Sequence, residues 1–92
     1  MSAVDTSRWM AAEEQLSCEV GGEVVILNLV DDTYYGLTEV GAFVWQLLKE
    51  PRTLEELRDA VVAEFEVDES QCEADLRRLL EELSGRRLVS RR

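Results

Sequence analysis

The stretch TYYGLTEVGAFVWQLL, residues 33–48, contains the change of periodicity that decides the fold. Thr33, Tyr34 and Tyr35 favour a short β-strand, because β-branched and aromatic side chains suit a pleated sheet. From Thr38, a candidate N-cap, the apolar residues follow the i, i+3, i+4, i+7 spacing of an amphipathic helix. These residues are Val40, Phe43, Val44, Leu47 and Leu48. The stretch therefore predicts a strand that leads into a helix.

Two more strands are predicted upstream of this stretch. Residues 10–20 alternate in polarity, which is typical of a half-buried strand. The apolar parity consists of Met10, Ala12, Leu16, Cys18 and Val20. Gly21-Gly22 suits a tight hairpin turn. The next run, residues 24–30, is almost entirely apolar and predicts a strand covered on both faces, followed by a second turn at Asp31-Asp32.

Two more helices are predicted downstream. Pro51 ends the first helix, because the residue before a proline avoids helical geometry. Thr53 and Glu56 have the spacing of a capping box, and Asp68 with Gln71 caps a third helix. The inner faces of these two helices consist of Leu54, Leu57, Val61 and Phe65, then Cys72, Leu76, Leu79, Leu80 and Leu83.

The chain is predicted to form one domain over residues 1–92, with an ordered core at about 9–89. Its 92 residues, 46% of them apolar, are enough for one core and too few for two. Gly85 is expected to end the third helix, and Leu88-Val89 to return to the core. The element order predicts an α+β fold of the winged helix-turn-helix type, a three-stranded antiparallel sheet followed by three helices.

Charge argues against several classes of partner. The net charge is −10, and residues 77–92 carry six arginines and two glutamates, so residues 1–76 carry −14. Such a surface repels phosphate, so neither nucleic acid nor an anionic membrane is an expected partner. A DNA-binding winged helix would also turn Asp68, Glu69, Glu73 and Asp75 towards the phosphates. A basic peptide or protein would be attracted, although a charged surface also serves solubility.

The residue inventory argues against catalysis and metal binding. The chain has no histidine, and it contains no Gly-rich phosphate loop or nucleophile motif, so no enzymatic activity and no cofactor are expected. Cys18 and Cys72 are far apart and have no CxxC partner, so they predict small buried apolar residues and not a zinc site. No apolar run is long enough to span a membrane, and residues 1–8 have no signal-peptide pattern, so a cytoplasmic protein is expected.

Four motifs follow one another over about residues 22–89. They are Tyr35-x-Leu37-x-x-x-Gly41-x-x-Val44-Trp45-x-x-Leu48, Thr53-x-x-Glu56-Leu57, Phe65-x-Val67-Asp68, and Asp75-Leu76-x-x-Leu79-x-x-x-Leu83 followed by Leu88-Val89. In this order they resemble the PqqD-like family, also called RiPP recognition elements. Thr38 stands where the family usually has Asn or Asp, and all three residue types can cap a helix.

The resemblance implies a non-catalytic protein that binds the leader region of a ribosomally made precursor peptide and presents it to modifying enzymes. It implies that the leader pairs with the third strand and lies along the third helix. Its partners would be the leader segment, a separate leader peptidase and possibly a cyclase. General similarity over residues 35–48 favours the lasso peptide branch, and PqqD itself, from pyrroloquinoline quinone assembly, stays an alternative.

The predicted peptide site combines a strand edge with a helix flank. Thr33, Tyr34 and Tyr35 form the edge, and no charge, proline or bulge protects them from pairing with another chain. The edge therefore predicts a docking site for a fourth strand. A plain hairpin wing fits the same residues. On the helix, an apolar flank is predicted to form the wall of a groove, although a core role for it is equally consistent. We expect Leu76→Glu to weaken peptide binding far more than folding. The candidate site residues are Leu27 and Leu29 (groove floor), Asp32, Thr33, Tyr34, Tyr35 and Gly36 (edge), and Cys72, Asp75, Leu76 and Leu79 (flank).

Three assignments stay open on the sequence alone. Asp75 is either a contact for a basic or hydroxyl group of the peptide or a solvated carboxylate. Trp9 and Trp45 are predicted to pack in the core, with a part in recognition as the alternative, and Trp9 could also be a loose end. A subunit whose strand edge pairs permanently with another protein is the remaining alternative to peptide capture.

Overall fold

Six strands and three helices follow one another along residues 7–91, the part of the chain that the computed structural model describes. The elements are β1 (Arg8–Ala11), β2 (Gln15–Val20), β3 (Glu23–Asn28), β4 (Tyr34–Leu37), α1 (Glu39–Leu47), β5 (Arg52–Thr53), α2 (Leu54–Glu64), α3 (Glu69–Gly85) and β6 (Val89–Arg91). The predicted α+β fold and its three helices are confirmed. The ends of the predicted domain, residues 1–6 and 92, lie outside the described residues.

The strands form two antiparallel sheets instead of the one predicted. Strands β2, β3 and β4 make a meander, and β1 lies between β5 and β6 in a second sheet. The single strand predicted over residues 10–20 is therefore wrong. This segment contains parts of two strands, β1 and β2, which belong to different sheets. The Ala11 N–H donates to the Leu48 carbonyl at 2.8 Å, and the Ala12 N–H donates to the Leu88 carbonyl at 2.9 Å.

The helices cover only one face of the meander. Val24 and Ile26 are buried against them, whereas Val25, between the two, is exposed. On β2 the apolar parity faces solvent, with Leu16 61% and Val20 60% exposed. The predictions of a half-buried first strand, of cover on both faces of the second and of a buried Cys18 are therefore wrong.

Register explains this exposure. Leu16 lies opposite Leu27, and Leu27 lies opposite Tyr34, so these side chains share one face of the sheet. That face turns away from the helices, and we name it the outer face. Its apolar residues are Leu16, Cys18, Val20, Val25, Leu27 and Tyr34.

The core lies between the inner face of the meander and the helices. Trp45 and Trp9 are both buried there, as predicted. Phe43 of α1 meets Phe65, at the end of α2, edge to face with ring centroids 5.4 Å apart. The remaining buried apolar residues include Ile26, Leu48, Leu57, Val61, Leu80 and Leu83. Apolar burial of this kind is the main driving force for a small fold.

The predicted N-caps are present, with one difference. Thr53 and Glu56 form a complete capping box, and the Gln71 N–H donates to an Asp68 carboxylate oxygen at 2.9 Å. Thr38 occupies the N-cap position of α1, but its side chain makes no capping hydrogen bond. The start of α1 therefore depends on tertiary packing more than on its cap.

The end of α3 falls at Gly85, as predicted. Gly85 is the last helical residue, and the left-handed position falls two residues later, on Arg87, with φ +60°. The Arg87 N–H donates to the Ser84 carbonyl at 3.0 Å and the Leu88 N–H to the Leu83 carbonyl at 2.9 Å, which is the Schellman pattern. The chain then turns into β6, so the predicted return of Leu88-Val89 to the core is confirmed.

Arg87→Gly is expected to raise the free energy of unfolding by about 1 kcal/mol, because a non-glycine residue is strained at positive φ. Urea denaturation of the purified variant measures the change. Arg87→Ala serves as the control, since it removes the same side chain and keeps the strain. Equal stability of the two variants would contradict the explanation.

Candidate functional site

Strand β4 has one paired edge and one open edge. It pairs with β3, and no other described strand lies along its second side. The Asn28 N–H donates to the Thr33 carbonyl at 2.8 Å, and hydrogen-bonded and non-bonded pairs alternate along an antiparallel ladder. Following the register, Tyr35 and Leu37 bond to β3, whereas Tyr34 and Gly36 direct their N–H and C=O groups outwards. Two residues thus present unpaired backbone groups to an incoming chain.

An apolar groove of about 310 Å³ begins where β4 ends. Its walls come from the start of α1, the end of α2, the connection between α2 and α3, and the first three turns of α3. Gly41 lets α1 approach the end of β4 closely, since a Cβ there would lie 3.1 Å from Leu37 Cδ2. The lining residues are Val40, Gly41, Val61, Val67, Gln71, Cys72, Asp75, Leu76 and Leu79.

Asp75 and Gln71 supply the polar groups at the rim of the groove. Gln71 Nε2 donates to Asp75 Oδ1 at 3.0 Å, and Arg78 Nη1 lies 3.3 Å from the same oxygen. Burial, with a smaller effect of the Asp75 charge, raises the pKa of the neighbouring Cys72 thiol. The thiol therefore stays protonated at neutral pH and acts as part of the apolar wall.

The first half of β4, away from the groove, packs against the end of α3 through Tyr35. The Arg86 guanidinium lies 5.0 Å from the centroid of the Tyr35 ring, a cation–π contact. Burial raises the pKa of the Tyr35 hydroxyl, and its hydrogen bond to Glu82 raises it further. Arg86 and Glu82 also form an ion pair at 3.9 Å. These contacts hold the inner side of β4 against α3.

Asn28 makes a second connection at this end, one that the sequence did not reveal. Its side chain is only 2% exposed. Nδ2 donates to the Arg86 carbonyl at 2.7 Å, and Oδ1 accepts from the Val30 N–H at 2.8 Å. The amide thereby joins the β3–β4 turn to the cap of α3. The sequence signal that could have revealed this connection is that Asn28 is the single amide in the otherwise apolar run of residues 24–30.

Asp31 and Asp32 stabilise the turn between β3 and β4 in different ways. The Asp31 carboxylate accepts from the Thr33 hydroxyl at 2.6 Å and from its N–H at 3.1 Å, and these bonds lower the pKa of Asp31. Asp32 has a positive φ of +59°, which Asp tolerates better than most residues. Both predicted site residues Asp32 and Thr33 thus lie in this exposed turn, before β4 begins.

Most of the other predicted site residues fall into two groups. Tyr34, Tyr35 and Gly36 lie on β4, and the four predicted α3 residues (Cys72, Asp75, Leu76 and Leu79) line the groove. Leu27 and Leu29 do not form its floor. Leu27 points to the outer face, because Ile26 and Asn28 on either side of it point inwards, and Leu29 lies half exposed beyond the strand.

Leu76 is more deeply buried than expected, with 2% of its surface exposed. A glutamate there would place a carboxylate in the core, where an unpaired charge is costly, so Leu76→Glu would disturb folding as well as binding. Leu79 lines the same groove and is only partly buried. It is the better position for a test of the groove.

Other kinds of site find no support among residues 7–91. These residues contain no group of three or more cysteine, histidine or acidic side chains placed to hold a metal ion. None of the described helices is both long and apolar enough to cross a membrane.

Comparison with known proteins gives one family and two similar structures. Residues 23–89 match the family described as Coenzyme PQQ synthesis protein D (PqqD). TbiB1, solved in complex with the TbiA(beta) leader peptide, is 38% identical, with a TM-score of 0.82 over 88% of this chain and 94% of that one. A lasso peptide synthetase B1, solved with its leader peptide, shares the fold at 18% identity, with a TM-score of 0.79 over 89% and 96%. No curated protein sequence matches the chain.

Proposed function

Because the chain belongs to the PqqD family, we propose that it binds the leader region of a ribosomally made precursor peptide as an added β-strand. It would then deliver the peptide to the enzymes of lasso peptide biosynthesis. TbiB1 supports this choice, since it is solved with a leader peptide and is 38% identical over most of both chains. Binding, and not catalysis, is the activity that we assign.

One observation carries the proposal, the unpaired edge of β4 beside the apolar groove. The outward groups of Tyr34 and Gly36 would pair with the leader backbone and supply affinity with little sequence preference. Side chains of the leader would enter the groove at Cys72, Leu76 and Leu79 and supply the specificity. Both contributions are needed, because each net backbone hydrogen bond is worth only about 0.5–1.5 kcal/mol.

Charge supports a polar contact at the groove rim. Asp75 is exposed beside the apolar lining, and its carboxylate has room to meet a basic or hydroxyl group of the leader. A charge-assisted hydrogen bond of this kind is stronger than one between neutral groups. Asp75 would therefore help to fix the register of the bound strand.

The role that follows is delivery. A bound leader raises the local concentration of the attached core peptide near a partner enzyme, in the manner of a tether. The partners we propose are a separate leader peptidase and a cyclase. We also propose a cytoplasmic location, which suits the two free cysteines, because thiols stay reduced there.

Leu79→Glu tests the groove. Losing a buried leucine contact costs about 1.5–3 kcal/mol, so the affinity for a leader peptide should fall roughly 10- to 100-fold. Calorimetry with the synthetic TbiA(beta) leader peptide, the partner in the TbiB1 complex, measures the change. Ser84→Glu adds the same charge at an exposed α3 position outside the groove and should keep the affinity. Equal binding by the two variants would place the peptide elsewhere.

A PqqD role in pyrroloquinoline quinone assembly is the second candidate, favoured by the description of the matched family. The same calorimetric experiment separates the two roles when it is repeated with the precursor peptide of quinone assembly. Tighter binding of that peptide than of the lasso leader would favour the second candidate.

A further inference from the structure

The outer face of the β2–β3–β4 sheet is an apolar surface that no described residue covers. Tyr34 is 70% exposed there, and Leu16 and Val20 on the same face are 61% and 60% exposed. Val25 lies opposite Gly36, where even an added Cβ would meet nothing within 4 Å. Contiguous exposed apolar surface on a small protein marks an interaction site or an aggregation hazard.

The border of this face is mainly acidic, although Arg87 lies near Glu13, Glu14 and Val30 at one corner. Residues 9–48, which include the whole meander, contain no lysine and no arginine. The acidic residues of the meander and the loops beside it are Glu13, Glu14, Glu19, Glu23, Asp31 and Asp32. Of these, Glu19 belongs to the inner face, where it accepts a hydrogen bond from Gln46 Nε2, and the other five lie along the border. An apolar centre with a charged rim is the usual composition of a protein–protein interface, and the sign of the rim selects the partner.

We propose that the outer face docks a second folded protein whose contact surface is apolar at its centre and bordered by lysine and arginine. A second copy of this chain fits poorly, because symmetric pairing would bring the same acidic border against itself. The identity of the partner rests on the proposed function, and the leader peptidase, which must reach the bound peptide, is the protein that we assign to this face.

The outer face lies next to the proposed position of the bound leader. A leader strand added beside β4 continues the sheet, and its side chains alternate between the two faces. One set enters the groove, and the other set extends the outer face next to Tyr34. A peptidase on the outer face therefore contacts the carrier and the substrate on one continuous surface.

The double variant Leu16→Ser/Val25→Ser tests this docking. Both side chains are exposed and on the outer face, so the fold should remain intact. We expect the dissociation constant of the purified leader peptidase for this protein, measured by biolayer interferometry without leader, to rise at least tenfold. The wild-type affinity should also fall as salt is raised from 50 to 500 mM, because the rim charges become screened.

Separate measurements distinguish this proposal from the proposed function. The double variant should bind the leader peptide as tightly as the wild type, whereas Leu79→Glu should lose the leader and still bind the peptidase. An unchanged peptidase affinity in the double variant overturns the docking proposal, whatever the leader result. A wild-type dimer in sedimentation that the double variant abolishes also overturns it, because a second copy would then cover the face.

Discussion

Gly36→Pro is expected to lower the affinity for the leader peptide by about 100-fold while leaving the fold in place. The Gly36 N–H points to the open edge of β4 and not to β3, so its loss costs no hydrogen bond in the unbound protein. In the complex, the proline removes one donor, and its ring keeps the incoming strand away from the neighbouring carbonyl. The loss of two hydrogen bonds of about 1.4 kcal/mol each corresponds to this factor.

Gly36→Ala is the matched control for this experiment. It keeps the N–H group, and its Cβ would meet nothing within 4 Å, so both fold and affinity should stay close to those of the wild type. Circular dichroism checks the fold of each variant, and calorimetry with the leader peptide gives the affinities. If the proline variant is folded and binds as well as the alanine variant, the leader does not pair with β4.

Asn28→Leu is expected to lower the free energy of unfolding by about 2–4 kcal/mol. Leucine has a similar volume, so the loss comes from the Arg86 carbonyl and the Val30 N–H, each left without its partner. An unsatisfied buried polar group costs about 1–3 kcal/mol. Leader affinity should fall as well, because β4 is then held against α3 by the Tyr35 and Arg86 contact without the support of Asn28.

Urea denaturation measures the change in stability, and Val25→Ala is the control. Val25 lies on the same strand with its side chain on the outer face, so its truncation should change the free energy of unfolding by less than about 1 kcal/mol. A loss of less than 1 kcal/mol in Asn28→Leu would show that the two backbone groups find other partners. The amide would then have no special part in holding β4.

Local signals in the sequence were reliable where the structure depends on near neighbours. The Thr53 capping box and the Asp68 cap were predictable, because each involves residues three positions apart. The end of α3 at Gly85 was predictable too, but the left-handed residue of its cap was not, because it falls on Arg87, where burial of Leu88 compensates for the strain. In such cases packing outweighs the preference of a single residue.

The sheet was less predictable, because alternation defines two faces without saying which one is covered. The apolar parity of β2 faces solvent, since its register with β3 places Leu16 opposite Leu27. That choice depends on where α1 and α3 pack, far along the chain. Within the apolar run of β3 no alternation is visible at all, so Leu27 was assigned to the groove and Asn28 was overlooked.

The shortness of β4 has a consequence for how long a leader stays bound. Only Tyr34 and Gly36 offer outward backbone groups, so the ladder contains about four hydrogen bonds, worth a few kcal/mol in total. Most of the residence time must then come from the groove, where small changes in the leader alter the dissociation rate. A cleaved leader keeps these same contacts, so the dissociation rate set by the groove also decides how soon the carrier is free for the next precursor.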